Sequence, residues 1–184
     1  MISSGSGSKA ILMLHGRGAD AEDIIGISRF FNAKSYAFTA EGNAWYPLPF
    51  LNPKSSNEPH ISNNLSKVHD VVLELKKSHS EVFLLGFSQG ACLALEYASK
   101  HEVSGVVAFS GGFIGVESDF PREFKTKRVV LCCSKNDPFI PFERAVKSAE
   151  ICKNFGASVM TNFYDGSSHT ISKDDIDIAK SLID

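Results

Sequence analysis

Residues 81–95 constrain the fold more tightly than any other stretch of this chain. Glu81-Val82-Phe83-Leu84-Leu85 is a short apolar run of strand length, bounded by Gly86-Phe87-Ser88-Gln89-Gly90. A helical pattern of small residues follows at once, with Ala91, Ala94 and Ala98 on neighbouring faces. A strand that passes into a helix within five residues must turn sharply, and glycines two before and two after Ser88 remove the side chains that would collide there. The turn lifts a serine hydroxyl above the sheet edge and sets the positive end of a helix behind it.

The rest of the chain repeats the strand-then-helix alternation. Apolar runs at Lys9–Leu14, Ser35–Thr39, Val103–Phe109, Lys127–Cys133 and Ser158–Tyr164 predict five more strands. Ile61, Leu65, Val68, Val72 and Leu75 recur at helical spacing, as do Phe142, Ala145, Val146, Ala149 and Cys152. Asp20 with Asp23, and Ser172 with Asp175, have the spacing of helix-opening caps. Ile24, Ile27 and Phe31 continue the first of these helices, and Ile176, Ala179 and Ile183 the last. Such an order predicts an α/β fold, a mostly parallel sheet of about six strands with helices on both faces. No linker or repeat divides residues 9–184, which read as one domain. Residues 1–8, rich in serine and glycine and without the basic and apolar regions of a signal peptide, read as a flexible lead-in.

Composition narrows the function. The 184 residues carry a net charge of -2 and no basic block, which argues against nucleic acid as a partner. No apolar run reaches the length of a membrane span. Cys92, Cys132, Cys133 and Cys152 lack Cys-x-x-Cys spacing, and reduced thiols in a cytoplasmic protein are the expectation. No His-x-x-x-His pair or carboxylate cluster suggests a metal.

In an open parallel sheet, ligands bind beyond the carboxyl ends of the strands. Ser88 follows the third predicted strand, Asp137 the fifth and His169 the sixth, so all three rise at one edge. A serine hydroxyl is a weak nucleophile unless a base removes its proton, and histidine is the side chain suited to that at neutral pH. A carboxylate behind the ring fixes its tautomer. Asp165, four residues before His169, competes with Asp137 for that place, but a residue on a separate loop reaches the far nitrogen more readily. The backbone N–H of Gln89, directly after the serine, is one candidate oxyanion donor. The loop His15-Gly16-Arg17-Gly18 lacks the further residues of a dinucleotide or P-loop fingerprint, and reads instead as the source of a second donor, the N–H of Arg17. His15 would then brace the loop or simply pack. The long proline-rich loop from Glu41 to Pro59, with Trp45, Tyr46, Leu48, Phe50 and Leu51, is either a pocket wall or a lid on the core. Phe113 and Ile114 are further candidates for pocket walls.

Taken together, Leu14–Asp20, Trp45-Tyr46-Pro47 with Asn57-Glu58-Pro59, Gly86–Ala91, Phe109-Ser110-Gly111-Gly112, Asp137–Pro141 and Gly166-Ser167-Ser168-His169 resemble the phospholipase/carboxylesterase branch of the α/β-hydrolases, which includes acyl-protein thioesterases. The resemblance implies a single-domain α/β-hydrolase fold, a Ser88–His169–Asp137 triad, backbone donors at Arg17 and Gln89, and hydrolysis of small carboxylic esters or thioesters without a cofactor. Arg17 departs from the leucine or phenylalanine of many members, and would favour a substrate with an acidic group. The alternatives are a ligand-binding protein on the same fold, or a peptidase or amidase. A homodimer is compatible with the sequence but not determined by it.

Overall fold

The computed structural model describes all residues from 1 to 184. Seven strands form one sheet: β1 (Ile2–Ser4), β2 (Lys9–Leu14), β3 (Lys34–Ala37), β4 (Glu81–Phe87), β5 (Gly105–Phe109), β6 (Arg128–Ser134) and β7 (Ser158–Tyr164). Their order is β1-β3-β2-β4-β5-β6-β7. Every neighbouring pair is parallel except β1 with β3. Five helices accompany them: α1 (Ala21–Ile25), α2 (His60–Leu75), α3 (Gln89–Lys100), α4 (Phe142–Asn154) and α5 (Lys173–Ile183).

Period-two alternation sends each central strand's side chains to two separate cores. Leu12, Leu14, Leu84, Val106, Ala108 and Leu131 face the larger one, which α2, α3 and α4 cover with residues such as Val68, Val72, Leu95 and Ala149. Ile11, Met13, Phe83, Leu85, Val107, Phe109 and Val130 face the other, covered by α1 and α5 through Ala21, Ile24, Ile176, Ala179 and Ile183. Because both faces are buried, these strands read as continuous apolar runs rather than alternating ones. The spacing at 61, 65, 68, 72 and 75 gives the buried stripe of α2. The capping boxes at Asp20 and Ser172 both form.

Two expectations are corrected. The lead-in holds a strand: Ile2–Ser4 pairs antiparallel with β3 and adds a seventh strand to the sheet of about six that the sequence predicts. Gly5 and Gly7, at φ 76° and 143°, let the chain turn back, and Gly5 passes so close to the Ala33 carbonyl that a Cβ would stand 2.7 Å from it. With only Met1 and Ile2 apolar among the first eight residues, this strand leaves no periodic signal. The helix expected through Phe31 ends at Ile25 and continues as a 3₁₀ turn over Gly26–Phe30. No helix is long and apolar enough to cross a membrane.

Candidate active site

The site begins at the join of β4 and α3. Ser88 sits at φ 53°, ψ -117°, a backbone conformation rare outside glycine. Its N–H donates to the Phe109 carbonyl at 2.9 Å, and its own carbonyl accepts from Cys92 N–H at 3.1 Å, which locks the turn from both sides. A Cβ at Gly86 would collide with the carbonyl of Gly90, and one at Gly90 with the carbonyls of Leu14 and His15. Both glycines are required by these close approaches, and α3 presses directly against the end of β2.

His169 enters on the loop after β7. Its Nε2 lies 2.9 Å from Ser88 Oγ, and its Nδ1 lies 2.8 Å from Asp137 Oδ2. With Nδ1–H donating to the carboxylate, Nε2 accepts from the serine hydroxyl. Asp137 comes from the loop after β6, and its side chain is fully buried. Its Oδ1 also accepts the N–H groups of Phe139 (2.9 Å) and Ile140 (3.0 Å). Burial alone would raise its pKa, but hydrogen bonds from His169, Ile140 and Phe139 outweigh burial and hold it below the ordinary aspartate value. Asp165, the rival carboxylate, is exposed and pairs with Lys135 at 2.8 Å instead. The two loops are fastened together: Ser134 Oγ donates to the Ser168 carbonyl, Lys135 N–H to Tyr164 and Asn136 N–H to Gly166. Phe87 and Phe139 flank the imidazole with ring centroids at 4.9 and 4.8 Å.

The loop after β2 borders the serine. A Cβ on Gly16 would stand 3.5 Å from Ser88 Cβ. The Gly16 carbonyl accepts from His15 Nδ1–H at 2.7 Å and from Ala19 N–H at 3.2 Å. His15 Nε2 accepts from Ala40 N–H at 3.0 Å, which fixes the Nδ1–H tautomer. The buried His15 thus braces the loop. A trans peptide points its C=O and N–H in opposite directions, so clamping Gly16 C=O aims Arg17 N–H away from His15. The backbone N–H groups of Arg17 and Gln89 have no acceptor within the protein.

A cavity of about 560 Å³ opens over Ser88 and His169, walled by Arg17, Tyr46, Pro47, Pro49, Phe50, Phe139 and Ile140 among others. Side chains rather than a ladder hold its proline-rich wall. Gln89 accepts Trp45 N–H (2.8 Å) and donates to the Tyr46 carbonyl (2.7 Å), and Asn64 Nδ2 donates to the Trp45 carbonyl (2.7 Å). Asn57 Oδ1 accepts Leu48 N–H at 2.8 Å. Arg17 reaches across to the carbonyls of Tyr46, Pro47 and Leu48.

Of the expected pocket residues, Tyr46 and Phe50 line the cavity, whereas Trp45, Leu48, Leu51, Phe113 and Ile114 do not. Trp45 is buried in the core, donating Nε1–H to the His15 carbonyl at 2.8 Å. Phe113 and Ile114 are also core residues, with backbone N–H groups bound by Ser148 Oγ and the buried Glu96 carboxylate. Phe87, Phe139 and Ile140 line the cavity too, although nothing in the sequence marks them as pocket residues. The last two follow Asp137 within three positions, so any loop that delivers that carboxylate also delivers them. Burial pushes the thiols of Cys92 up to about 11 and of Cys133 up to about 12, which leaves both protonated and unreactive at neutral pH.

A phospholipase/carboxylesterase family model matches residues 3–184. The phospholipase/carboxylesterase of Dyadobacter fermentans is similar over 99% of this chain and 94% of its own, with 35% identity and a TM-score of 0.90. Esterase PE8 shares the fold at 22% identity, with a TM-score of 0.82 over 98% of this chain and 95% of its own. SOBER1 of Arabidopsis thaliana does so at 24% identity, with a TM-score of 0.78 over 95% of this chain and 97% of its own. The family match begins within β1 and runs through every later element, so this chain belongs to the phospholipase/carboxylesterase family of α/β-hydrolases.

Proposed function

We propose that the protein hydrolyses small carboxylic esters or thioesters through an acyl-enzyme intermediate, with Ser88 as nucleophile. The observation that carries this reading is the unbroken line from Ser88 Oγ through His169 to Asp137, at 2.9 and 2.8 Å.

Ser88 Oγ attacks the substrate carbonyl carbon while His169 Nε2 takes its proton. The carbonyl oxygen becomes an oxyanion, and the Arg17 and Gln89 N–H groups donate to it. Each such donor typically lowers the barrier by roughly 3–4 kcal/mol. Asp137 holds the imidazole in place and stabilises its cation. The intermediate collapses, His169 passes its proton to the departing alcohol or thiol, and the acyl group stays on Ser88. Water then attacks the acyl-enzyme with His169 again as base, releasing the acid and restoring the hydroxyl. The apolar walls at Tyr46, Pro49, Phe50 and Ile140 suit a compact acyl or aryl group, and the cavity lies within the usual range for small-molecule sites.

The test is turnover of p-nitrophenyl butyrate alongside labelling by a fluorophosphonate. The wild type is expected to hydrolyse the ester and to be labelled at Ser88, and Ser88→Ala to do neither. A chain that is never labelled is a ligand-binding protein on this fold, and a faster reaction with matched amides makes it an amidase.

A further inference from the structure

Arg17 carries a charge that the fold leaves uncompensated. Among the residues that line the cavity it alone is permanently charged. None of the chain's ion pairs involves it. Its guanidinium is nevertheless fixed: Nη1 donates to the Pro47 carbonyl at 2.9 Å, and Nη2 to those of Tyr46 at 2.7 Å and Leu48 at 3.2 Å. Carbonyl dipoles orient a guanidinium without cancelling its charge. They also leave the Nε–H and one Nη1–H without a partner, out of the five N–H groups an arginine offers. The backbone of the same residue borders the nucleophile, since the neighbouring Gly16 packs against Ser88. The positive end of α3 points to the same place. The carboxylates around the cavity are already engaged: Asp137 is buried and held by His169, Phe139 and Ile140, and the buried Glu96 pairs with Lys54 at 2.8 Å.

We infer that Arg17 selects substrates that carry a second, ionised group, a carboxylate or phosphate, within one side chain's reach of the scissile ester or thioester. The inference rests on the hydrolase reading above and names its substrate class. A guanidinium already held in place loses little freedom on meeting an anion, and its flat fork suits both groups.

Two matched pairs test it, one for each limb of the substrate: phenyl hydrogen adipate against phenyl methyl adipate, and 4-butyryloxybenzoate against its methyl ester. At low salt, the wild type is expected to prefer the anionic member of at least one pair by about tenfold in kcat/KM, the scale of one charge-assisted hydrogen bond, chiefly through KM. The preference shrinks in about 0.5 M salt through screening. Arg17→Met lowers turnover of neutral esters as well, because the strap on residues 46–48 goes, so the ratio within each pair is the readout. It falls towards one in Arg17→Met and survives in part in Arg17→Lys, which keeps the charge but not the fork. Equal rates within both pairs for the wild type, or an unchanged ratio in Arg17→Met, overturn the inference. If Arg17→Met does not fold, Arg17→Lys and the salt series decide. Turnover of neutral esters without preference sinks this inference alone, whereas no turnover of any ester sinks the hydrolase reading too.

Discussion

The elbow at residues 86–90 and the wall at residues 45–50 border one cavity, yet opposite devices hold them. At the elbow the backbone itself is compressed: Gly86 and Gly90 admit carbonyls where any side chain would collide, and Ser88 is locked at positive φ. The wall cannot join a ladder, because Pro47 and Pro49 lack N–H groups. The carbonyls of residues 45–48 and the N–H groups of Trp45 and Leu48 are bound instead by the side chains of Arg17, Asn57, Asn64 and Gln89. Local sterics specify the place of the Ser88 hydroxyl, while long-range side-chain bonds specify what sits beside it. The first device tolerates almost no substitution. The second can be altered one bond at a time.

The sharpest way to break this contrast is at Ser88, the proposed nucleophile. Ser88→Ala should lose about 10⁴-fold or more in kcat with its Tm unchanged, measured by ester turnover and thermal melting. Retained activity would remove Ser88 from its role. Asp137→Asn should cost up to about 10⁴-fold in kcat, because the imidazole takes the wrong tautomer. Asp165→Asn, which loses only an exposed ion pair, should stay within about twofold. The reverse ranking would move the acid to Asp165. Gly90→Ala should destabilise the protein by about 3 kcal/mol or prevent folding, since rigid backbone carbonyls stand in the way. A normal denaturation midpoint would show that α3 can shift. Gln89→Ala should cost about 1–3 kcal/mol, leaving Trp45 N–H without its acceptor, and should raise KM more than it lowers kcat. An equal fall in kcat would mean that the wall and the elbow are not separable.

The smallest expected effect is one of pH. The folded-state pKa of Asp137 lies below its unfolded value, so the carboxylate contributes stability above about pH 4, the unfolded aspartate value, and that contribution is lost as pH falls through the folded pKa. Asp137→Asn should therefore flatten the acid side of the Tm–pH curve. An unchanged slope would place the acid sensitivity elsewhere.

The same contrast explains what could be read from the sequence. Strand runs, the α2 stripe, both capping boxes and the elbow are written in short windows, and they appear where expected. So do the relative places of Ser88, Asp137 and His169, because each directly follows a strand of a parallel sheet. Trp45, Phe113 and Ile114 were misplaced because an aromatic or aliphatic side chain after a strand suits a pocket or a core equally well. Only the partners decide. Ser148 and Glu96, which draw the 113–114 backbone inward, come from α4 and α3 and leave no mark in the local window. The strand at Ile2–Ser4 depends in the same way on β3, and two glycines disguise it as a tail.

Gln89 serves two masters. Its main chain directly follows Ser88, while its amide side chain grips the 45–46 segment from beneath. Anyone who sets out to widen the cavity by swapping in loops from relatives inherits this shared fastening. A library that randomises residues 45–50 but spares the backbone path seen by Gln89 should return live variants with new preferences. One that lets that path drift should yield mostly inert proteins, even with Ser88, Asp137 and His169 intact.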